Sequence, residues 1–457
     1  MARGMEPVRV VNRESSKTGR LRTARVTLAM AIAAVSVGIF QANAFAADSA
    51  STPVSLAPAI DAKPEQKDAR LRALAARIDA MGTRIASEGH VAGLAIAMVQ
   101  DDEVLLEKGY GVTVAGEHES VDEHTVFRLA SLSKAFASTV AALLVSEGAL
   151  SWDTRVADHL PAFKLRTLRS AQTVTVADIL SHRLGLPYNT GDKLLERDEP
   201  YPLLVAKLGE VEPMCETGDC YGYQNIAFSL IGDMVFAVSG DFYSHQVEKR
   251  IFHPLGMLDS TYGRDGLENS QRWARPHVRR GNRWVAVQPR DSYYRVPPAA
   301  GVNASIHDLG LWLRAQLGLR PDVLPSEVLQ AVQTPRVATP YEMRTSPWRR
   351  ERLLDAHYAL GWRIYDYLGH KLVFHAGAVQ GYRGMIGLLP ERGFGFVAVW
   401  NSESPTPSGL LATALDQYLG VSERDFVGLD SKPSTTAAKS AAKKNRVAAN
   451  RNAATRR

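Results

Sequence analysis

Residues 360–400 read LGWRIYDYLGHKLVFHAGAVQGYRGMIGLLPERGFGFVAVW. Runs rich in β-branched and aromatic residues alternate here with turn residues. The pattern predicts four antiparallel strands, Leu360–Tyr367, Lys371–His375, Gly381–Leu389 and Gly393–Trp400. A closing helix follows over Leu410–Leu419. The other end of the body repeats the theme. Leu71, Leu74, Ile78, Met81 and Ile85 stand at helical spacing within Arg70–Ser87. Val91–Val99 and Glu103–Val114 then read as two strands turned at Asp101-Asp102. Between the two ends the signals are helical. Ser131–Glu147 (SLSKAFASTVAALLVSE) is stopped by Gly148, and Ser305–Leu317 is periodic. Residues 149–290 hold broken helical patches, clearest at Thr173–Leu180 and Asn225–Val238, with few strand signals. The fold class predicted is mixed α/β (α+β): an antiparallel sheet flanked by helices from both ends of the body, with an inserted, mainly helical domain. The boundaries drawn are 66–430 for the whole unit, 66–127 and 300–425 for the α/β part, and 128–299 for the helical part.

The 457 residues are 45% hydrophobic and 22% charged, an ordinary soluble composition. Collagen-like, coiled-coil and polytopic membrane readings are excluded. The net charge of +6 belongs to the two ends: residues 1–46 carry +5 and 431–457 carry +8, leaving the body 47–430 at −7. An acidic body does not attract phosphate backbones, so no nucleic-acid partner is expected. Residues 1–46 read as an export signal. A basic stretch to Arg25 precedes the charge-free run Val26–Phe40, and Ala44 and Ala46 supply a cleavage site after Ala46. Fifteen apolar residues are short for a membrane span; a retained N-terminal anchor is the alternative. The protein is therefore expected outside the cytoplasm, periplasmic or secreted. Residues 47–65 read as an Ala/Pro/Ser-rich linker. Residues 431–457, basic and free of aromatics, are expected to be disordered and are a candidate tether to anionic envelope polymers. Cys215 and Cys220 are the only cysteines. In an oxidising compartment they are expected to form a disulfide, and two ligands are too few for a structural zinc.

Three motifs could carry chemistry. In Ser131-Leu132-Ser133-Lys134 the first and last residues share a helix face. A serine hydroxyl needs a neighbouring base, and a lysine whose pKa is lowered by burial can serve. Taken alone, Ser131 reads better as a helix cap, and Ser440-Ala-Ala-Lys443 matches the same pattern by chance. Tyr223-Gln224-Asn225 offers a phenol that shuttles protons if nearby cations lower its pKa, and an amide that can bind a substrate carbonyl. Its plain alternative is a buried aromatic followed by a cap at Asn225. His375-Ala376-Gly377-Ala378 ends a strand, where glycine permits close approach and the Ala378 N–H could join that of Ser131 as an oxyanion hole.

Order and spacing change these odds. FRLASLSKAF (127–136), the YQN triplet and FHAGAVQGYRGMIGLLPERGFGFVAVWNSE (374–403) resemble the serine β-lactamase and penicillin-binding-protein superfamily. TVADILSHRLGLP (175–187) and AAGVNASIHDLGLWL (299–313) resemble segments of its class-C-like branch, which includes D-aminopeptidases, carboxypeptidases and esterases. The resemblance runs over roughly 70–420. It implies Ser131 as the acylated nucleophile, Lys134 and Tyr223 sharing acid/base duty, and Asn225, His375 and Gly377 in substrate binding. Backbone N–H groups of Ser131 and Ala378 would hold the oxyanion. No metal or organic cofactor is implied.

One departure matters: the third motif is H-A-G where the family's better-known form is K-T-G. A neutral His offers one N–H where a lysine would offer a fixed cation. Substrates without a carboxylate, esters or amides with a free amino group, are therefore expected to be favoured unless another cation, such as Arg383, reaches the site. A penicillin-binding-protein-like carboxypeptidase, an acylated sensor and a true class-C-like β-lactamase remain as alternatives. No G-x-S-x-G or H-E-x-x-H occurs, and Gly393-Phe-Gly395-Phe-Val-Ala398 opens a strand, not a dinucleotide turn.

Overall fold

The computed structural model describes residues 64–430 except 423. The export signal, most of the linker and the basic tail lie outside the described residues. Pro64 and Glu65, assigned to the linker above, instead open helix α1 (Pro64–Ser87). Proline fits the first helical turn, and an acid there meets the positive end of the helix dipole.

The main sheet has eight strands: β1 (Gly93–Gln100), β2 (Glu103–Gly111), β3 (Val337–Ala338), β4 (Leu353–Tyr358), β5 (Arg363–Tyr367), β6 (His370–Val379), β7 (Tyr382–Leu389) and β8 (Phe394–Trp400). Their order is β2-β1-β8-β7-β6-β5-β4-β3, and each neighbouring pair is antiparallel. The predicted class, an antiparallel sheet with helices drawn from both ends of the chain, is what forms. All eight residues of β1 are buried, because the sheet is covered on both faces. Leu94, Ile96 and Met98 join the cluster under α1 and α6 (Leu410–Leu419). Ala95, Ala97 and Val99 join the other cluster, with α2 (Ser133–Ser146), α4 (Ile226–Ser239) and α5 (Ile306–Gln316). Burial of each large side chain in that first set is worth roughly 1.5–3 kcal/mol before entropy.

Three differences from the sequence reading have local causes. Gly361 takes φ +71 and donates to Leu180 O, so β5 starts at Arg363 and not at Leu360. The expected helix Thr173–Leu180 breaks at Val174-Thr175, where Thr175 and Asp178 form a capping box for α3 (Val176–Leu180). The helical middle also contains strands. Thr261–Tyr262 pairs with Val302–Ala304, which pairs with Phe127–Arg128, and His277–Arg280 forms a hairpin with Arg283–Ala286.

Candidate active site

Ser131 lies in a 3₁₀ turn, Ala130–Leu132, that feeds α2. Ala130 holds φ +51, a left-handed conformation that costs a non-glycine residue about 1–2 kcal/mol. Ser131 is not a helix cap: the cap positions are Leu129 and Leu132, and neither uses a side chain. Ser133 is fully buried and accepts from the Val302 N–H at 3.0 Å, so it serves structure. Ser131 is partly exposed, and its hydroxyl shares a hydrogen bond with that of Tyr223.

Lys134, one turn on, is completely buried. Its Nζ donates to Asn225 Oδ1 at 2.7 Å and to Ala299 O at 3.2 Å. It stands 4.7 Å from the Tyr223 ring centre. Desolvation drives its pKa well below 10.5; Asp192 pulls it back up and Arg363 pushes it further down. Two acceptors take both N–H bonds of a neutral amine and leave its lone pair free. Tyr223 goes the other way. Burial raises its pKa, against smaller lowering effects of the Ser131 hydrogen bond and Arg363. The phenol thus keeps its proton, and the expectation of a cation-lowered tyrosine is overturned. Arg363 is the cation that acts on the phenol, and burial outweighs it.

Asn225 occupies the N-terminal position of α4 but makes no side-chain cap. Its Oδ1 faces Lys134 and its Nδ2 donates to Asp192 Oδ2 at 2.8 Å. Asp192 is buried and also accepts from the Tyr293 hydroxyl at 3.3 Å. The loop carrying these residues is tied down. Gln224 Nε2 donates to Leu186 O, its N–H donates to His182 Nδ1, and Asn189 N–H donates to Tyr223 O. The Cys215–Cys220 disulfide precedes it, with the Cys215 carbonyl packed where a Cβ on Gly185 would fall. The disulfide loop therefore buttresses the same 182–187 segment.

The third motif arrives on β6. A Cβ on Gly377 would stand 2.3 Å from Leu129 O and 3.3 Å from the Ser131 N. Only glycine lets this strand close on the nucleophile turn. His375 is buried beside it, but not as a substrate donor. Its Nδ1 lies 2.9 Å from Ala376 O, which can only accept, so Nδ1 carries the proton. Nε2 then accepts from the Tyr358 hydroxyl at 3.1 Å. Burial, Arg363 and Lys134 hold its pKa well below 6.5. The ring is neutral, as expected, yet both nitrogens are spent inside the protein. Ala376 and Ala378 are exposed on the opposite face of the strand.

Four residues of this site escape sequence reasoning. His182 stacks 4.5 Å from Tyr223 and 4.7 Å from Tyr358, with Nε2 buried and unpartnered. Tyr358 holds His375, Asp192 holds Asn225, and Arg363 pairs with Glu342 at 2.6 Å while lying 5.7 Å from the Tyr223 ring. Among the described residues no group of three or more His, Cys, Asp or Glu is placed to hold a metal.

A serine hydroxyl near a fully buried lysine, at the junction of an antiparallel sheet and a helical layer, fits the β-lactamase/transpeptidase-like superfamily. The Beta-lactamase family model matches residues 68–420, and the chain belongs to that family. Protein flp of Staphylococcus aureus (strain MW2) is 25% identical over 330 residues, 72% of this chain and 63% of that one. The unguisins hydrolase ungD' of Aspergillus campestris is 27% identical over 349 residues, 72% and 62% respectively. The chain spans under two thirds of the length of these curated relatives. Among solved structures, the octameric penicillin-binding protein homologue from Pyrococcus abyssi aligns with a TM-score of 0.68 at 25% identity, over 77% of this chain and 79% of that one. A D-stereospecific amidohydrolase from Streptomyces sp. aligns at 0.59 and 20% identity, over 74% and 97%, a likeness of fold alone.

Proposed function

We propose that the protein is an exported serine hydrolase that cleaves ester or amide bonds through an acyl-enzyme on Ser131. The observation that carries this reading is Lys134: fully buried, held by Asn225 and Ala299, and depressed in pKa one helical turn from the serine. In the reading, the Ser131 proton passes to Lys134 as Oγ bonds the substrate carbonyl carbon. The carbonyl oxygen becomes an oxyanion facing the backbone N–H groups of Ser131 and Ala378. Tyr223 gives its proton to the leaving group and is refilled from Lys134. Water then repeats the cycle and releases the acid. A relative named as a hydrolase supports this class of reaction. Likeness to a penicillin-binding protein homologue favours, as second reading, a cell-wall peptidase or a sensor whose acyl-enzyme persists. Intact-mass spectrometry with a p-nitrophenyl ester, a D-amino-acid amide and a penicillin separates them. Ser131→Ala is expected to abolish both the mass adduct and turnover. Full activity in that variant would sink the assignment; a stable adduct without turnover selects the sensor.

A further inference from the structure

Helix α4 is apolar almost all round, and Asp233 is the one charged residue in Ile226–Ser239. One side packs into the core through Phe228, Ile231 and Met234. On another, Gly232, Asp233 and Phe236 stand together at helical spacing. That face lines a cavity of about 800 Å³, bounded also by Tyr201, Phe242 and Pro298. The volume is that of a site for a small organic molecule. No residue of the nucleophile turn, the YQN triplet or β6 contributes to it. It lies behind the wall that holds the catalytic lysine. Asn225 heads α4, Pro298 precedes Ala299, and a Cβ on Gly232 would stand 2.9 Å from the Pro298 ring.

One charge in this cavity is left over. Arg295, on its lining, is taken up by the side chain and carbonyl of Asp198. Tyr243 spends its hydroxyl on that of Tyr262, and Ser229 donates its own to Asn225 O. Asp233 accepts from the Tyr201 hydroxyl through Oδ2 at 2.8 Å, and among the described residues no donor meets its Oδ1. Burial raises its pKa, the Tyr201 bond lowers it, and no cation of the protein acts on it. Beside it Phe236 and Phe242 are 48% and 64% exposed, with ring centres 5.5 Å apart. Paired exposed aromatics are uncommon on an ordinary surface, and their faces attract cations. A wholly apolar partner laid on this face would bury an unpaired carboxylate, which is costly; a cation cancels it.

We propose that the cavity is a second binding site, for a small organic cation whose ammonium group meets Asp233 Oδ1 and whose apolar body lies against Phe236 and Phe242. The site is independent of the acyl-enzyme reading.

Phenethylammonium and its neutral near-isostere 2-phenylethanol test it, by calorimetric titration of the full chain. At pH 8 a primary amine is charged and an ordinary imidazole, such as that of His159 on the lining, is neutral. The cation is expected to bind about tenfold more tightly than the alcohol, the scale of one charge-assisted contact. Asp233→Asn keeps an acceptor for Tyr201 and should bring that ratio toward one, with the alcohol little changed. Because the ratio is taken within a variant, a folding loss common to both ligands cancels. Phe236→Ala should weaken both ligands severalfold. Ser131→Ala should leave both affinities unchanged, so this site and the acyl-enzyme reading fail separately. Equal affinity for cation and alcohol overturns the assignment. So does a cation preference that survives Asp233→Asn, since the ligand is then bound elsewhere, or one that is lost with Ser131→Ala.

Discussion

An amide has an acceptor end and a donor end, and at Asn225 the neighbours leave no choice of orientation. Lys134 can only donate to it when protonated and donates through its N–H bonds when neutral; the Asp192 carboxylate can only accept. Asp192 is thus a positioning residue, acting on the base through Asn225. It also raises the pKa of Lys134, which Arg363 and burial lower. Since the neutral amine is the base, activity falls as pH drops below that pKa. Asp192→Ala should lose about ten- to a hundredfold in kcat, because the orienting acceptor is gone. It should also move the acid limb of the kcat/KM profile to lower pH, because an anion that favoured the ammonium is removed. A loss with the limb unmoved would leave Asp192 only a structural part. None of this is legible in sequence. Ser131 and Lys134 announce themselves by spacing, but Asp192 reaches Asn225 from 33 residues away by tertiary closure.

Strand β6 shows the same limit at the scale of an element. Its apolar start, Lys371–His375, reads as strand, whereas Ala376–Val379 has little strand propensity and is extended because β7 pairs with it. Strands β4 and β3 carry no usable signal either: LLDAHY mixes polar and apolar positions without clean alternation, and β3 is two residues long. The segment TVADILSHRLGLP is legible as family-like, yet nothing in it marks His182 as the ring between Tyr223 and Tyr358. What sequence supplies is the short-range part, and what it lacks is which backbone meets which. Gly377 is where that meeting is tightest. Gly377→Ala would place a methyl 2.3 Å from Leu129 O, so β6 must withdraw from the nucleophile turn. A displacement near 1 Å is expected to cost about a hundredfold in the rate of Ser131 acylation. Stopped-flow acylation checks this, with urea unfolding as control; acylation at the native rate would contradict the close contact.

Across the whole molecule, the buried histidines set the acid side of stability. His182 and His375 have pKa values well below 6.5 and His277 is lowered too, each chiefly by burial. In the unfolded chain all three titrate near 6.5. As pH falls through that value the unfolded state takes up protons that the folded state refuses, so stability falls, by up to about 1.4 kcal/mol per group per pH unit. His124, raised by Asp259, opposes this from an exposed position where solvent screens the pair. Asp308, pushed up to about 6 by burial, opposes it only below that pH. The urea midpoint should therefore drop as pH falls below 7.5 and keep dropping below 6, where one carboxyl offsets only part of what three histidines lose. A midpoint that is flat or rising as pH falls counts against the account.

Strand β1 sits between β2 and β8, joined to the latter from Leu94↔Trp400 to Gln100↔Phe394. The first strand of the sheet and the last share a ladder spanning about three hundred residues, and the nucleophile turn meets Gly377 across a gap almost as long. Such pairings form late, after the cost of closing a long loop is met. A ribosome must therefore deliver nearly the whole body before the site is complete. A nascent or truncated chain lacking β6 to β8 holds Ser131 with no strand against it. Reactivity toward acyl compounds is withheld by topology until synthesis is almost complete, with no inhibitory segment required.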